Sequence, residues 1–176
     1  MKRQTLIMIA AFFATTALAV LPARTQITTV TVRVDGLSCP FCAYGLEKKI
    51  RSVPGTKEPV INVEEGVVTL TPTGDASIDF DGLREAVKKA GFTPREIGVE
   101  GIGRVATIDE RPTLVTEDGQ QLFLLEQNDV LASLQTDPEH LVTFSGTLTP
   151  KEKDDDEPLR TLSLLSATQR ETGDVN

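Results

Sequence analysis

The chain has 176 residues, a formal net charge of −8 and 39% hydrophobic residues. This length and composition are ordinary for a soluble globular protein of one or two small domains. The acidic balance excludes the basic surface that phosphate neutralisation requires, so we expect no nucleic acid among the partners, and an anionic membrane surface is disfavoured for the same reason.

The first 23 residues are typical of a secretory signal peptide. Lys2 and Arg3 form a positive start, and residues 6–21 are an uncharged, largely apolar run. This run is shorter than the roughly 20 residues that a helix needs to span a bilayer, which favours a signal peptide. A slightly short membrane anchor is the alternative. Small residues that signal peptidase prefers lie around Ala19. We expect cleavage after Ala19 or Ala23, a periplasmic or secreted protein, and no membrane span after cleavage.

Hydrophobic periodicity between residues 28 and 98 predicts a first, α+β domain. A helix whose apolar face comprises Leu46, Ile50 and Val53 follows the first strand. A second helix begins after its N-cap Asp79 and ends at Gly91. Strands are predicted at 28–35, 59–63, 67–71 and 92–97. The resulting βαββαβ order is the ferredoxin-like split βαβ arrangement.

Two prolines support this topology. The second and fourth strands of a ferredoxin-like sheet lie at its edges, and Pro59 and Pro94 fall in those two predicted strands. Proline lacks the amide donor that a central strand requires. We therefore expect both strands to be edge strands.

Residues 101–167 predict a second domain, a small β-barrel. Three strands, a short helix capped by Asn128 and two strands favour an oligonucleotide/oligosaccharide-binding (OB)-like barrel, with an SH3-like barrel as the alternative. The strands are predicted at 104–109, 113–117, 121–126, 141–148 and 159–165. Residues 168–176 are interpreted as a flexible tail. We interpret residues 98–103 as a glycine-rich joint, and expect the two halves to unfold independently because a joint allows few contacts.

The residues with chemistry lie in the loop Gly36-Leu37-Ser38-Cys39-Pro40-Phe41-Cys42, which holds both cysteines of the chain. Two sulfurs three positions apart at a helix start can converge on one ion, and the positive end of the helix dipole stabilises thiolates. Thiolates are soft ligands that prefer Cu(I), Zn(II), Hg(II) or Cd(II) to Mg²⁺ or Ca²⁺. We predict that Cys39 and Cys42 bind one soft metal ion, with Cu(I) or Hg(II) as first candidates and Zn(II) next.

This loop resembles that of the heavy-metal-associated domain family, which includes copper chaperones, soluble domains of metal-pumping ATPases and the periplasmic mercury-binding protein. The resemblance covers residues 28–97 and also rests on Leu83-x-x-Ala86-Val87-x-x-Ala90-Gly91-Phe92. It implies a metal chaperone, carrier or scavenger without enzymatic activity. A membrane metal transporter or another metal-binding protein is the partner it implies. Leu37 stands where the family usually has Met, which leaves metal preference open.

The main alternative is redox chemistry, because Cys-Pro-Phe-Cys also resembles the glutaredoxin active site. The chain lacks the Thr-Val-Pro and Gly-Gly segments of that fold. A periplasmic thiol–disulfide oxidoreductase that uses the same two cysteines therefore remains the second hypothesis. A structural disulfide is the third, although so short a loop restricts the unfolded chain little.

Other polar groups are interpreted as ordinary surface features. His140 is expected to be solvated, and residues 154–157 are expected to form an acidic hairpin tip. Lys88 and Lys89 either hold the charge of the thiolates or interact with their helix dipole. Phe92 either shields the metal or fills the core. No catalytic and no cofactor-binding residue is predicted.

Overall fold

The structure, a computed structural model, describes residues 26–73, 76–124, 129–134, 141–148 and 161–170. Within these ranges no helix is long and apolar enough to cross a membrane. The elements in chain order are β1 (Gln26–Asp35), α1 (Pro40–Ile50), β2 (Val60–Asn62), β3 (Val67–Leu70), α2 (Phe80–Lys89), β4 (Thr93–Ile108), β5 (Arg111–Val115), β6 (Gln121–Leu124), α3 (Asp129–Ser133), β7 (Leu141–Leu148) and β8 (Thr161–Arg170).

The first six elements form the predicted ferredoxin-like unit. Their strands are antiparallel neighbours in the order β2-β3-β1-β4. Helices α1 and α2 contact each other and contribute Leu46, Ile50, Leu83 and Val87 to the core, all of them fully buried. The predicted N-cap is confirmed, since the Asp79 carboxylate accepts a hydrogen bond from the Gly82 amide at 2.8 Å.

Strand β4 differs from two of the predictions. The strands predicted at 92–97 and 104–109 are one continuous strand, Thr93–Ile108, with no joint between them. Strand β4 is also not an edge strand in its middle, because Ile97 to Ile102 pair with β1 on one side and β7 on the other. Pro94 precedes Ile97, where the pairing of β4 with β7 begins, so its missing amide removes no hydrogen bond to β7. The proposed division between residues 98 and 101 therefore falls inside a strand.

The glycines interpreted as a joint instead make room for close packing. A Cβ atom at Gly101 would lie 2.5 Å from the Gln26 carbonyl oxygen and 3.1 Å from the Phe144 ring. A Cβ atom at Gly103 would lie 3.0 Å from Leu114. Glycine inside a strand often marks such an approach of another backbone or ring. A flexible joint and a crowded strand therefore have the same glycine pattern in the sequence.

Strands β4 to β8 close into a five-stranded barrel in the order β4-β5-β6-β8-β7, with β7 returning to pair with β4. All neighbours are antiparallel except β6 and β8, which are parallel. The interior includes Val105, Leu114, Leu122, Phe144 and Leu162, each at most 2% exposed. These side chains and those beneath the helices form one hydrophobic core.

The turn between β5 and β6 makes a second connection between the halves. The Ser77 hydroxyl donates to the Asp118 carbonyl oxygen at 2.8 Å, and the Ile78 amide donates to the Gln120 side-chain oxygen at 3.0 Å. Gly119 in this turn has a φ of +82°, a conformation that glycine adopts without strain. The barrel thus holds the segment that leads into α2.

The end of the chain differs in detail from the prediction. Strand β8 runs to Arg170 instead of ending at 165, so residues 168–170 of the predicted tail continue the pairing with β7. The predicted signal peptide, Asn128, His140, residues 154–157 and residues 171–176 lie outside the described residues. Pro59 directly precedes β2, which is an edge strand as expected.

Candidate metal centre

The loop between β1 and α1 presents its cysteines at the start of a helix. Cys39 is the N-cap, with extended backbone angles of −142° and 144°, and its sulfur accepts a hydrogen bond from the Cys42 amide at 3.2 Å. Pro40 occupies the first turn, where its missing amide needs no partner. Because the first amides of a helix have no partner within it, they are available to the sulfurs.

Cys39 and Cys42 are joined as a disulfide, with their Cα atoms 5.3 Å apart. Both side chains are partly exposed. Among the described residues no group of three or more His, Cys, Asp or Glu side chains could hold a metal. The donor set of this loop therefore consists of two sulfurs, which are thiolate ligands only after the disulfide is reduced.

Apolar packing fixes the loop from below. Leu37 is 6% exposed and belongs to the core. Gly36 has a φ of +88°, and a Cβ atom there would lie 3.7 Å from the Phe92 ring. Phe92 is half-buried and packs against the same core. The ring of Phe92 therefore lies beside the loop and is part of its support.

The charged residues near the loop mostly interact with each other. Lys88 donates to Glu85 at 2.7 Å, and this hydrogen bond lowers the pKa of the Glu85 carboxyl below its usual value. Arg95 and Asp35 form an ion pair at 2.5 Å directly before the loop. Lys89 lines a cleft between the helices together with Lys49. Among the contacts of the described residues, neither Lys88 nor Lys89 interacts with Cys39 or Cys42.

Two aromatic side chains beside the cysteines were not singled out by the sequence patterns. Phe41 is 92% exposed and Tyr44 is 72% exposed. They are three residues apart in α1 and off the buried face that contains Leu46 and Ile50. Their position on the polar side of an amphipathic helix was the available sequence signal.

Residues 31–93 match the model of the family described as heavy-metal-associated domain. They form a heavy-metal-associated domain. The match includes the cysteine loop, both helices and the first residue of β4. This domain supplies the ferredoxin-like half of the structure, and the barrel follows it.

The heavy-metal-associated domain is similar to parts of metal-transport proteins. The chain is 37% identical over 71 residues to a probable cadmium-transporting ATPase of Listeria monocytogenes. The matched segment covers 36% of this chain and 10% of the ATPase. It is 25% identical over 61 residues to the copper chaperone CopZ of Staphylococcus epidermidis. That matched segment covers 35% of this chain and 88% of CopZ. The chain thus spans about a tenth of the ATPase's length.

Among solved structures, the N-terminal domain of PacS from Synechocystis PCC6803 is similar to the same half of the chain. It is 25% identical, covers 39% of this chain and 94% of that domain, and has a TM-score of 0.34.

Proposed function

We propose that this protein carries a soft metal ion, Cu(I) in the first place, on the thiolates of Cys39 and Cys42, and passes it to another metal-binding protein or a membrane metal transporter. The observation that carries the proposal is the pairing of two partly exposed sulfurs at the N-terminus of α1 within a heavy-metal-associated domain. Two thiolates suit the two-coordinate preference of Cu(I) and Hg(II), whereas Zn(II) needs further ligands from water or a partner.

The site must be reduced before it can bind. An external dithiol transfers two electrons to the Cys39–Cys42 disulfide, which yields two thiols here and a disulfide on the reductant. The two thiols then lose their protons as the metal binds, because thiolates are the ligands. A site of two ligands leaves room for a third sulfur from a partner, which suits transfer better than permanent storage.

Copper titration of the purified protein tests this function. We expect the reduced protein to bind one Cu(I) per monomer in competition with a chromophoric chelator. The oxidised protein is a matched control with the same sequence but no thiolate, and the Cys39→Ser/Cys42→Ser variant is a second control. Both should bind orders of magnitude more weakly, because each lacks the soft ligands. Equal Cu(I) binding by the reduced protein and the double variant would rule out the site.

The disulfide itself favours a second candidate, thiol–disulfide exchange by the same cysteines. In that reaction one thiolate attacks a substrate disulfide, the second displaces the product, and a dithiol reductant restores the pair. Turnover of a small protein disulfide such as insulin's, with an excess of dithiol, distinguishes the candidates. The carrier proposal expects no rate above that of the double-serine variant.

We also propose that the protein is exported to the periplasm or beyond, because its first residues have the composition of a cleaved signal peptide. The mature chain would begin near Val20 or Arg24. N-terminal sequencing of the exported protein should find one of these residues, and Met1 in a membrane fraction would contradict the proposal.

The closed barrel is proposed to be OB-like rather than SH3-like. Its support is the Greek-key order of five strands, with parallel β6 and β8 and a helix between β6 and β7. NMR contacts between the backbones of Phe123 and Thr161 should confirm the parallel pair, and their absence would favour the SH3-like alternative. We propose that the barrel supports the heavy-metal-associated domain through the shared strand β4.

A further inference from the structure

The segment that leads into α2 lies between the barrel and the end of α1. On the barrel side, Ser77 and Ile78 donate to Asp118 and Gln120 of the β5–β6 turn, at 2.8 and 3.0 Å. On the other side, a Cβ atom at Gly55 would lie only 2.6 Å from the Ser77 carbonyl oxygen, so the chain after α1 packs directly on this segment. Together these contacts form a clamp on Ser77 and Ile78.

The clamp fixes the start of α2 and the end of α1. Asp79, next to the clamped pair, caps α2 by accepting a hydrogen bond from the Gly82 amide at 2.8 Å. Thr56, next to Gly55, donates its hydroxyl at 3.0 Å to the carbonyl oxygen of Ile50, the last residue of α1. One short segment therefore holds both helices at neighbouring ends.

The opposite ends of the same helices lie at the metal loop. Cys39 caps the start of α1, and its sulfur accepts a hydrogen bond from the Cys42 amide. Shortly after the end of α2, the Phe92 ring lies beside the loop, 3.7 Å from where a Cβ atom of Gly36 would be. The helices have 11 and 10 residues, which makes them rods of roughly 15 Å, and they contact each other. A shift at the clamped ends is therefore transmitted to the loop.

We propose that Gln120 of the barrel is a positioning residue for the metal loop and acts through the clamp and the two helices. This inference rests on the proposed function, because it concerns the loop that would bind the ion. It gives the barrel a role beyond the shared strand β4, since the β5–β6 turn bonds to the segment that enters the helical layer.

The side chain of Gln120 is the part of the clamp that a substitution can remove. Ile78 is 3% exposed, and within the described residues its amide donates only to Gln120. A buried amide without an acceptor is costly, so the segment should move when this acceptor is lost. Asp118 contributes a backbone oxygen, which every residue at that position would supply.

The variant Gln120→Met tests the clamp in the full chain, because methionine is of similar length but offers no oxygen to the Ile78 amide. Gln120→Glu is the conservative variant, since its carboxylate accepts the same bond. Val142→Ala is the control for lost barrel stability, because Val142 is 2% exposed in β7 and takes no part in the clamp. Urea unfolding first shows that each variant folds. If Gln120→Met does not, Ser77→Ala takes its place, because it removes only the exposed bond of the clamp.

Two readouts report on the folded protein and need no metal ion. The amide chemical shifts of Cys42 and Phe92 should change in Gln120→Met. The equilibrium of the Cys39–Cys42 disulfide with glutathione should shift at least about 3-fold towards the disulfide, the size expected for coupling between distant residues. The direction follows because an ordered helix start stabilises the thiolate form. Both readouts should be at wild-type values in Gln120→Glu and in Val142→Ala.

Cu(I) affinity of the reduced proteins, measured by chelator competition, links the clamp to the proposed function. We expect Gln120→Met to bind Cu(I) at least about 3-fold more weakly than the wild type, again as coupling between distant residues. Gln120→Glu and Val142→Ala should bind it as the wild type does.

Three outcomes would overturn the positioning role of Gln120. They are a wild-type glutathione equilibrium in Gln120→Met, an equal shift of that equilibrium in Val142→Ala, and no return to the wild-type value in Gln120→Glu. If the wild type itself does not bind Cu(I), the proposed function fails instead. The chemical shifts and the glutathione equilibrium then still decide whether Gln120 positions the loop.

Discussion

The metal domain and the barrel use the same strand in different ways. In the metal domain, residues 93–102 of β4 pair with β1, and the loop that holds Cys39 and Cys42 follows β1. In the barrel, residues 97–108 of the same strand close a sheet on itself, with its side chains packed inward. The two cysteines therefore lie in one half, whereas strand β4 belongs to both. A change in the barrel should lower the stability of both halves without altering the proposed metal ligands.

The largest expected stability effect tests whether the core is shared. Phe144 is a barrel residue, 2% exposed, that lies opposite Gly101 of β4. Phe144→Ala should cost about 3–5 kcal/mol of unfolding free energy, as for other buried Phe truncations. Hydrogen exchange should show that α1 and α2 lose protection together with β5 and β6.

The control for this change is Leu165→Ala, at a position 68% exposed, which should cost less than about 0.5 kcal/mol. Unchanged protection of α1 and α2 in Phe144→Ala would mean that the metal domain is stable without the barrel. The halves would then be independent units, as the glycine pattern first suggested.

A smaller effect is expected at the crowded glycine. Gly101→Ala places a Cβ atom against the Gln26 carbonyl and the Phe144 ring, so it should destabilise the chain by about 1–3 kcal/mol. Gly45→Ala is its matched control, because Gly45 lies in α1 with no atom within 4 Å of the added Cβ. That variant should be stabilised by about 0.5–1 kcal/mol. Urea unfolding measures both, and equal effects would contradict the packing role of Gly101.

The two halves also differ in how far local sequence determines them. The cap at Asp79, the stop at Gly91 and the cysteine loop depend on residues close in the chain, and these features were predictable. The pairing of Ile97 with Leu148 joins residues far apart, so nothing local indicates that β4 continues through its glycines. A glycine at position 101 fits a flexible joint and a crowded strand equally well. Only the ring of Phe144, which is distant in the chain, shows that the position is crowded. The oxidised state of the cysteines depends on the redox conditions and not on the spacing alone.

The smallest effect is expected beneath the metal loop. Leu37 is buried in the core, so Leu37→Met exchanges two side chains of similar volume and should cost less than about 1.5 kcal/mol. Cu(I) affinity should stay unchanged within error, because the side chain is buried in the core. A marked gain in affinity, measured by chelator competition, would show that a thioether at this position reaches the metal.

Copper X-ray absorption of the reduced, Cu(I)-loaded protein identifies the ligand atoms. If Cys39 and Cys42 bind the copper, the wild type should show two sulfur ligands and no nitrogen or oxygen ligand. The Cys39→Ser and Cys42→Ser variants should each lose one sulfur from the copper shell. A nitrogen or oxygen shell in the wild type, or a copper environment that is identical in the wild type and both variants, would contradict the assignment of Cys39 and Cys42 as the metal ligands.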